Sequence, residues 1–268
     1  MLSERPLSPS RSPVPRIALA LGAIVAAGLI GYFVAASLTH LDVSRLKAAA
    51  VPKAGTPAPQ ETPLADLGRA ALASVVTVEA QRTNDEALGT GWLLDAHGDF
   101  VTNAHVVEGQ LTLRVTDRHN RVHVAVVVGI DTNQDIAVVR SSDGFSGTPL
   151  PVDATPLASV PEDVIALASS RATGQGDMTQ ERLTLLHQDV PLQSGEVQPG
   201  TNAPSVYHDM LELSGARVYQ GNSGGPLLDG SGRVIGIITL ASPSGDEAFA
   251  IPVARVLDEL HQLAARPG

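Results

Sequence analysis

The sequence has no cysteine, few aromatic residues and no cluster of basic residues. Without cysteine, disulfides, thiolate nucleophiles and cysteine-ligated metal sites are excluded. Aromatic residues make up 3% of the 268, so the core has to be built from Val, Leu, Ile and Ala, and the hydrophobic fraction of 43% is sufficient for one. The net charge of −10 argues against a nucleic-acid partner, because a phosphate backbone attracts Lys and Arg.

One long uncharged run is present near the N-terminus, at residues 17–38. About 20 apolar residues span a bilayer as a helix, so this run predicts a transmembrane signal-anchor helix. Three arginines lie within residues 1–16. The positive-inside rule therefore predicts a cytoplasmic N-terminal tail and a single-pass protein whose following residues are extracytoplasmic.

A cleaved signal peptide is the alternative for the same run, because the small residues Ala35, Ala36 and Ser37 would suit a cleavage site. The protein would then be secreted. Both alternatives place the rest of the chain outside the cytoplasm. Residues 39–63 are rich in Pro and Ala and predict an extended linker before a folded domain at 64–268.

The folded domain is dominated by short segments rich in Val, Leu, Ile and Thr and separated by Gly, Asp or Asn. Such segments without intervening amphipathic helices predict an all-β barrel or sandwich. A short helix is predicted at 63–72, and apolar residues at helical spacing predict another at 253–265. The twelve predicted strands lie within residues 74–81, 89–96, 98–105, 110–117, 121–130, 134–140, 162–169, 181–188, 205–214, 224–229, 233–240 and 247–253.

Residues at three separate positions are candidates for catalysis. Ser223 lies in GNSGGP, where the glycines predict a tight turn with bare backbone N–H groups beside the hydroxyl. His105 lies in FVTNAHVV at the end of an apolar strand, where an imidazole is either a satisfied structural residue or a base. Asp135 directly precedes an apolar strand and is either a turn former or a partly buried carboxylate; Asp131, four residues earlier, is a weaker candidate.

Together, TNAHVV, DIAVV and GNSGGPLL, in that order, resemble the HtrA/Deg branch of the chymotrypsin-like serine proteases. GTGWLLDAHGDFVTNAHVV, SGRVIGIITL and AFAIP resemble further strands of that branch, and the resemblance covers about residues 70–257. It implies two six-stranded antiparallel Greek-key barrels, at about 70–150 and 151–252. No PDZ domain is expected, because only the C-terminal helix follows AFAIP.

The resemblance also implies a catalytic triad of His105, Asp135 and Ser223 and an oxyanion hole formed by the N–H groups of Gly221 and Ser223. It assigns the substrate pocket to Arg217, Thr239, Leu240 and Ala241. Arg217 either lies at the floor of that pocket, where it would favour acidic side chains, or points outward.

The function that follows is a membrane-anchored serine endopeptidase acting on extracytoplasmic proteins or peptides, in envelope quality control or stress signalling. A catalytically silent binding or chaperone-like module is the alternative. G-N-S-G-G also fits the esterase elbow G-x-S-x-G, but that fold needs a helix after the serine and a histidine late in the chain, where only His261 is found.

No cofactor and no metal site are predicted, since no pair of histidines shares a face with a carboxylate at ligand spacing. Members of the HtrA/Deg branch form trimers through aromatic residues near the start of the protease domain. This sequence has no aromatic residue between 39 and 80, so its oligomeric state is left open.

Overall fold

A computed structural model describes most of the predicted folded domain. The predicted cytoplasmic tail, transmembrane segment and nearly all of the linker lie outside the described residues. Within the described part of the chain, no helix combines the length and the apolar character needed to cross a membrane. The described residues are 63–157, 159–160, 162–174, 177–192, 202, 204–215, 218–242 and 246–267.

The first half of the domain is a closed antiparallel barrel preceded by a short helix, α1 (Pro63–Ala71). Around the barrel the order of strands is β1-β2-β3-β6-β5-β4, in which β4 returns beside β1. This return is the Greek-key connection. The elements are β1 (Val75–Gln81), β2 (Glu86–Leu93), β3 (Asp99–Thr102), α2 (Ala104–Val107), β4 (Thr112–Thr116), β5 (Val122–Asp131) and β6 (Ile136–Ser141).

The second half repeats this plan, with β10 returning beside β7. The predicted all-β fold of two six-stranded antiparallel barrels with a C-terminal helix is therefore confirmed. The elements are β7 (Glu162–Leu167), α3 (Ser170–Thr173), β8 (Met178–Pro191), β9 (Val206–Ser214), β10 (Pro226–Leu228), β11 (Val234–Ala241), β12 (Glu247–Pro252) and α4 (Val253–Ala264).

Each barrel has its own aliphatic core, and a third cluster joins the two barrels. This joining cluster contains Trp92 and Ile136 from the first barrel and Ile165 and Ile237 from the second, all of them fully buried. Burial of each such side chain contributes about 1.5–3 kcal/mol. The barrels consequently share one continuous apolar contact, which fixes the cleft between them.

Helix α4 belongs to the end of the second barrel in sequence but also packs on the first. Its four fully buried residues recur at helical spacing, as the sequence predicted. The Arg140 guanidinium of β6 donates to the Ala264 carbonyl at 2.7 Å, and Gln134 donates to Glu259 at 2.8 Å. Helix α4 thus fastens the two halves together on the side of β5 and β6. The buried positions are Val253, Val256, Leu260 and Leu263.

Candidate active site

His105 lies on the one-turn helix α2, immediately after β3 ends at Thr102. The sequence prediction that it lies at the end of a strand was therefore wrong by three residues. Asn103 lies between the strand and the helix in an extended conformation, and its side-chain amide donates to the Asp135 carbonyl at 2.8 Å and to the Thr239 hydroxyl at 3.0 Å. The imidazole is thereby buried, with 9% of the residue exposed.

Asp135 directly precedes β6. Its φ is +55°, and only 1% of the residue is exposed. Its carboxylate oxygens lie 2.8 and 3.0 Å from Nδ1 of His105, and Oδ1 also accepts the backbone N–H of His105 at 2.9 Å. A carboxylate can only accept, so Nδ1 carries the proton and Nε2 is the free basic nitrogen. The buried position expected of Asp135 is what the structure has.

A third donor to this carboxylate was missed by the sequence analysis. The hydroxyl of Tyr207, at the start of β9 in the second barrel, donates to Oδ2 of Asp135 at 3.0 Å. Burial raises the pKa of Tyr207 above its usual range, and the adjacent negative charge adds to the effect. No local pattern marks this residue, because its partner lies 72 positions away in the other barrel.

Ser223 is presented on the tight turn that the glycines predicted. Gly221 and Gly224 have φ values of +98° and +86°. A Cβ at Gly221 would lie 2.4 Å from the Ala172 carbonyl oxygen of α3, and one at Gly224 would lie 2.2 Å from that of Thr90. Both positions therefore require glycine for conformation and for space.

Strand β2 of the first barrel holds this turn through Thr90. The Thr90 N–H donates to the Ser223 carbonyl at 2.9 Å, and its hydroxyl donates to the Gly221 carbonyl at 2.7 Å. The same hydroxyl accepts the Ser169 N–H, just before α3, at 3.0 Å. One buried threonine thus connects the turn, the first barrel and α3.

The N–H groups of Gly221 and Ser223 make no hydrogen bond within the described part of the chain. Since neither N–H has a partner among these residues, both donors are available to an anion. The Ser223 hydroxyl makes a long hydrogen bond of 3.4 Å to the Thr239 carbonyl. In the described residues it makes none to His105.

His105, Gly221 and Ser223 line one cleft of about 680 Å³. Tyr219 and Gln220 line its second-barrel side. The structure therefore places the histidine, the serine and the two residues with unpaired N–H groups around one open cavity. The first-barrel side is lined by Arg82, Asp85, Glu86, Ala87, Leu88 and Val106.

The structure describes three of the four residues that were predicted to line the substrate pocket. Arg217 lies outside the described residues. Thr239 is buried behind Ser223, whose hydroxyl its carbonyl accepts. Leu240 is half-buried and Ala241 exposed at the end of β11. Their role in substrate selection stays a prediction.

One group of side chains in the described residues brings three potential metal ligands within 4.8 Å of one another: Asp95, His97 and Asp99, in the turn between β2 and β3. Asp99 is buried there and is already paired with the Arg140 guanidinium at 2.6 and 2.7 Å. His97 is exposed and pairs with Asp95 at 3.3 Å. This turn is satisfied by its own ion pairs and lies apart from the cleft residues.

Comparison with known proteins agrees with this geometry. Residues 89–237 match the family described as "Trypsin-like peptidase domain". The chain is 34% identical over 180 residues to "Protease Do-like 1, chloroplastic" of Arabidopsis thaliana, covering 65% of this chain and 39% of that protein. It is 27% identical over 183 residues to "Serine endoprotease DegS" of Escherichia coli, covering 65% and 48%. It thus spans less than half the length of these two relatives.

Among solved structures, the chain is similar to the Rv3671c protease of M. tuberculosis in its active form. The TM-score is 0.62 at 26% identity, covering 75% of this chain and 85% of that one. A second similar structure is the HtrA-type protease AlgW with a tripeptide, with a TM-score of 0.62 at 25% identity and coverage of 75% and 64%. The resemblance to the HtrA/Deg branch that the sequence motifs indicated is confirmed.

Proposed function

Because the chain belongs to the trypsin-like peptidase domain family, we propose that it is a serine endopeptidase that uses His105, Asp135 and Ser223 as its triad. The observation that carries this proposal is the pairing of His105 with Asp135 in the cleft that also contains Ser223. A purely structural histidine would not need to line the same cavity as a serine whose turn is held by two glycines at positive φ.

In the proposed mechanism, Nε2 of His105 takes the proton of the Ser223 hydroxyl as Oγ attacks a peptide carbonyl. Before this step the hydroxyl exchanges its long bond to Thr239 for one to Nε2. The Asp135 carboxylate keeps the proton on Nδ1 and stabilises the imidazolium that forms. The imidazolium then returns its proton to the leaving amine, and water releases the acyl group by the same route.

The N–H groups of Gly221 and Ser223 supply the oxyanion hole in this proposal. Negative charge that develops on the carbonyl oxygen would be stabilised by two donors that have no other partner in the described residues. Loss of one such donor costs about 10²–10³ in rate. The N–H of residue 221 can hold this position only if the residue is glycine, since a side chain there would collide with α3.

We further propose that the protease domain acts outside the cytoplasm, tethered by residues 17–38, on proteins or peptides of the cell envelope. The support comes from the uncharged run and the arginines before it. A role in envelope quality control or stress signalling is the corresponding biological proposal. Oligomeric assembly, including a trimer, is open to a direct measurement of mass in detergent.

Cleavage of casein by the full chain in detergent tests the enzymatic proposal. We expect fragments with the wild type and none with Ser223→Ala, since loss of the nucleophile lowers turnover by about 10⁶. Circular dichroism controls for folding of the variant. Cleavage that persists in purified Ser223→Ala would remove this serine from the mechanism.

A silent binding module is the second candidate function, and one observation favours it: the Ser223 hydroxyl is bonded to Thr239 and not to His105. The casein assay separates the two. If the folded wild type neither cleaves casein nor reacts with a fluorophosphonate, the silent module is the better description.

Membrane attachment has its own test. We expect the full chain to stay in the membrane pellet after an alkaline carbonate wash, and a chain lacking residues 1–38 to be released. A mature N-terminus at or after residue 36, found by sequencing the purified protein, would instead show a cleaved signal peptide and a secreted protease.

A further inference from the structure

The Asp135 carboxylate is held by donors from both barrels. The first barrel supplies the backbone N–H and Nδ1–H of His105, at 2.9 and 2.8 Å. The second barrel supplies the hydroxyl of Tyr207, at 3.0 Å. Asp135 is 1% exposed and Tyr207 4% exposed, so water does not compete for these contacts. Each bond to a charged acceptor in such a site is stronger than its exposed counterpart.

We propose that Tyr207 is a positioning residue for the catalytic pair: its hydroxyl fixes the orientation of the Asp135 carboxylate and withdraws part of its charge from His105. This inference rests on the proposed function, because it assigns to Asp135 the role of orienting the base. Tyr207 would then be a second-barrel residue that supports an acid–base pair located in the first barrel.

The chemistry follows from how the carboxylate divides its hydrogen bonds. Oδ2 accepts from both Nδ1 of His105 and the Tyr207 hydroxyl. When a second donor binds the same carboxylate oxygen, that oxygen offers less negative charge to the imidazole. The imidazolium is therefore less stabilised. The hydroxyl thus acts on His105 through the carboxylate, by moderating the charge that Oδ2 presents to Nδ1–H.

The phenol is suited to this role because it stays a donor. Burial and the neighbouring carboxylate raise the pKa of Tyr207. Its ionisation therefore lies above the range in which an imidazole titrates, and any change of the pH profile in that range reports the hydrogen bond. Other charged groups near the pair, among the residues that the structure describes, are the following: the Arg82 guanidinium donates to the His105 carbonyl, Asp85 and Glu86 line the cleft, and Asp131 and Glu259 lie beside the turn that carries Gln134.

The test replaces Tyr207 with Phe, which keeps the ring and removes the hydroxyl. We expect the midpoint of the His105 imidazole titration, followed by NMR in the full chain in detergent, to rise by about half a unit to one unit. The acidic limb of the kcat/KM profile should move by the same amount, so kcat/KM on that limb should fall about three- to tenfold. The matched control is Thr184→Val, which removes a hydroxyl that donates to Glu212 on β9; its titration should match the wild type.

A second variant guards against a simple loss of packing. Site-specific 3,5-difluorotyrosine at position 207 keeps the ring and provides a stronger donor, so the titration midpoint should move downward. An unchanged midpoint in either folded variant would overturn the proposal. Because NMR needs no turnover, a shifted midpoint in a protein that neither cleaves casein nor reacts with a fluorophosphonate would refute the proposed function while still showing that the Tyr207 hydroxyl acts on His105 through Asp135.

Discussion

The two barrels share one topology but hold their functional groups in different ways. The first barrel fixes His105 and Asp135 to each other by three short contacts between 2.8 and 3.0 Å. The second barrel presents Ser223 on a turn whose hydroxyl makes only a 3.4 Å bond. The acid–base pair is thus held mainly by hydrogen bonds within the first barrel, with one further donor, Tyr207, from the second. The nucleophile is positioned by backbone conformation, by hydrogen bonds between its turn and Ile238 of β11, and by support from the first barrel.

That support comes largely from Thr90, a first-barrel residue that bonds to both sides of the turn. Mutations in the two halves of the site should therefore have different consequences. Loss of a contact in the pair should alter protonation of His105. Loss of support at the turn should weaken stabilisation of the oxyanion and leave the pH dependence unchanged.

The largest effect short of removing the serine is expected for Asp135→Asn. The amide presents a donor to Nδ1 where the carboxylate was an acceptor, so the imidazole places its proton on Nε2 and cannot act as the base. We expect kcat/KM to fall by about 10⁴ at pH 7. Peptide hydrolysis by a folded variant measures this. A fall of less than tenfold would show that Asp135 does not set the tautomer.

Gly221→Ala, in the turn that presents Ser223, should have the next largest effect. The added Cβ would meet the Ala172 carbonyl at 2.4 Å and the backbone would leave its φ of +98°, so the oxyanion donor would be misplaced. We expect kcat/KM to fall by about 10²–10³ with an unchanged pH profile. Gly230→Ala is the control, since a Cβ there meets nothing within 4 Å. Equal activity of the two variants would contradict the assignment.

Thr90→Val is expected to have the smallest effect. It removes one hydroxyl of a fully buried residue and leaves the Gly221 carbonyl and the Ser169 N–H without this partner. Because the Thr90 N–H still holds the Ser223 carbonyl, we expect the turn to loosen without losing its conformation. The fall in kcat/KM should be about tenfold, and binding of a peptide boronate should weaken in parallel. Unchanged boronate affinity would show that the hydroxyl does not support the turn.

Much of this arrangement follows from local sequence. The twelve strands are marked by aliphatic runs between turn residues, and the turn at Ser223 by its glycines. The three candidate residues stood out because each interrupts or borders an apolar segment. The one-turn helix α2 was missed because its four residues, AHVV, continue the apolar pattern of β3.

Contacts between the barrels could not be predicted in this way. Tyr207 and Thr90 act on residues 72 and 131 positions distant, and those contacts exist only once two separately closed barrels have docked. Strand β8 extends to Pro191, beyond the predicted 181–188, because irregular pairing with β9 lets it bend. Sequence periodicity reports burial on one element at a time and carries no information on such partners.

A fluorophosphonate reacts with an activated serine, and peptide mass spectrometry of the labelled protein identifies the residue that it modifies. We expect one adduct, on Ser223, that forms in the wild type and is lost in folded His105→Ala. An adduct on another serine, or equal labelling of Ser223 in His105→Ala, would contradict the claim that the two barrels bring these groups together as one catalytic unit.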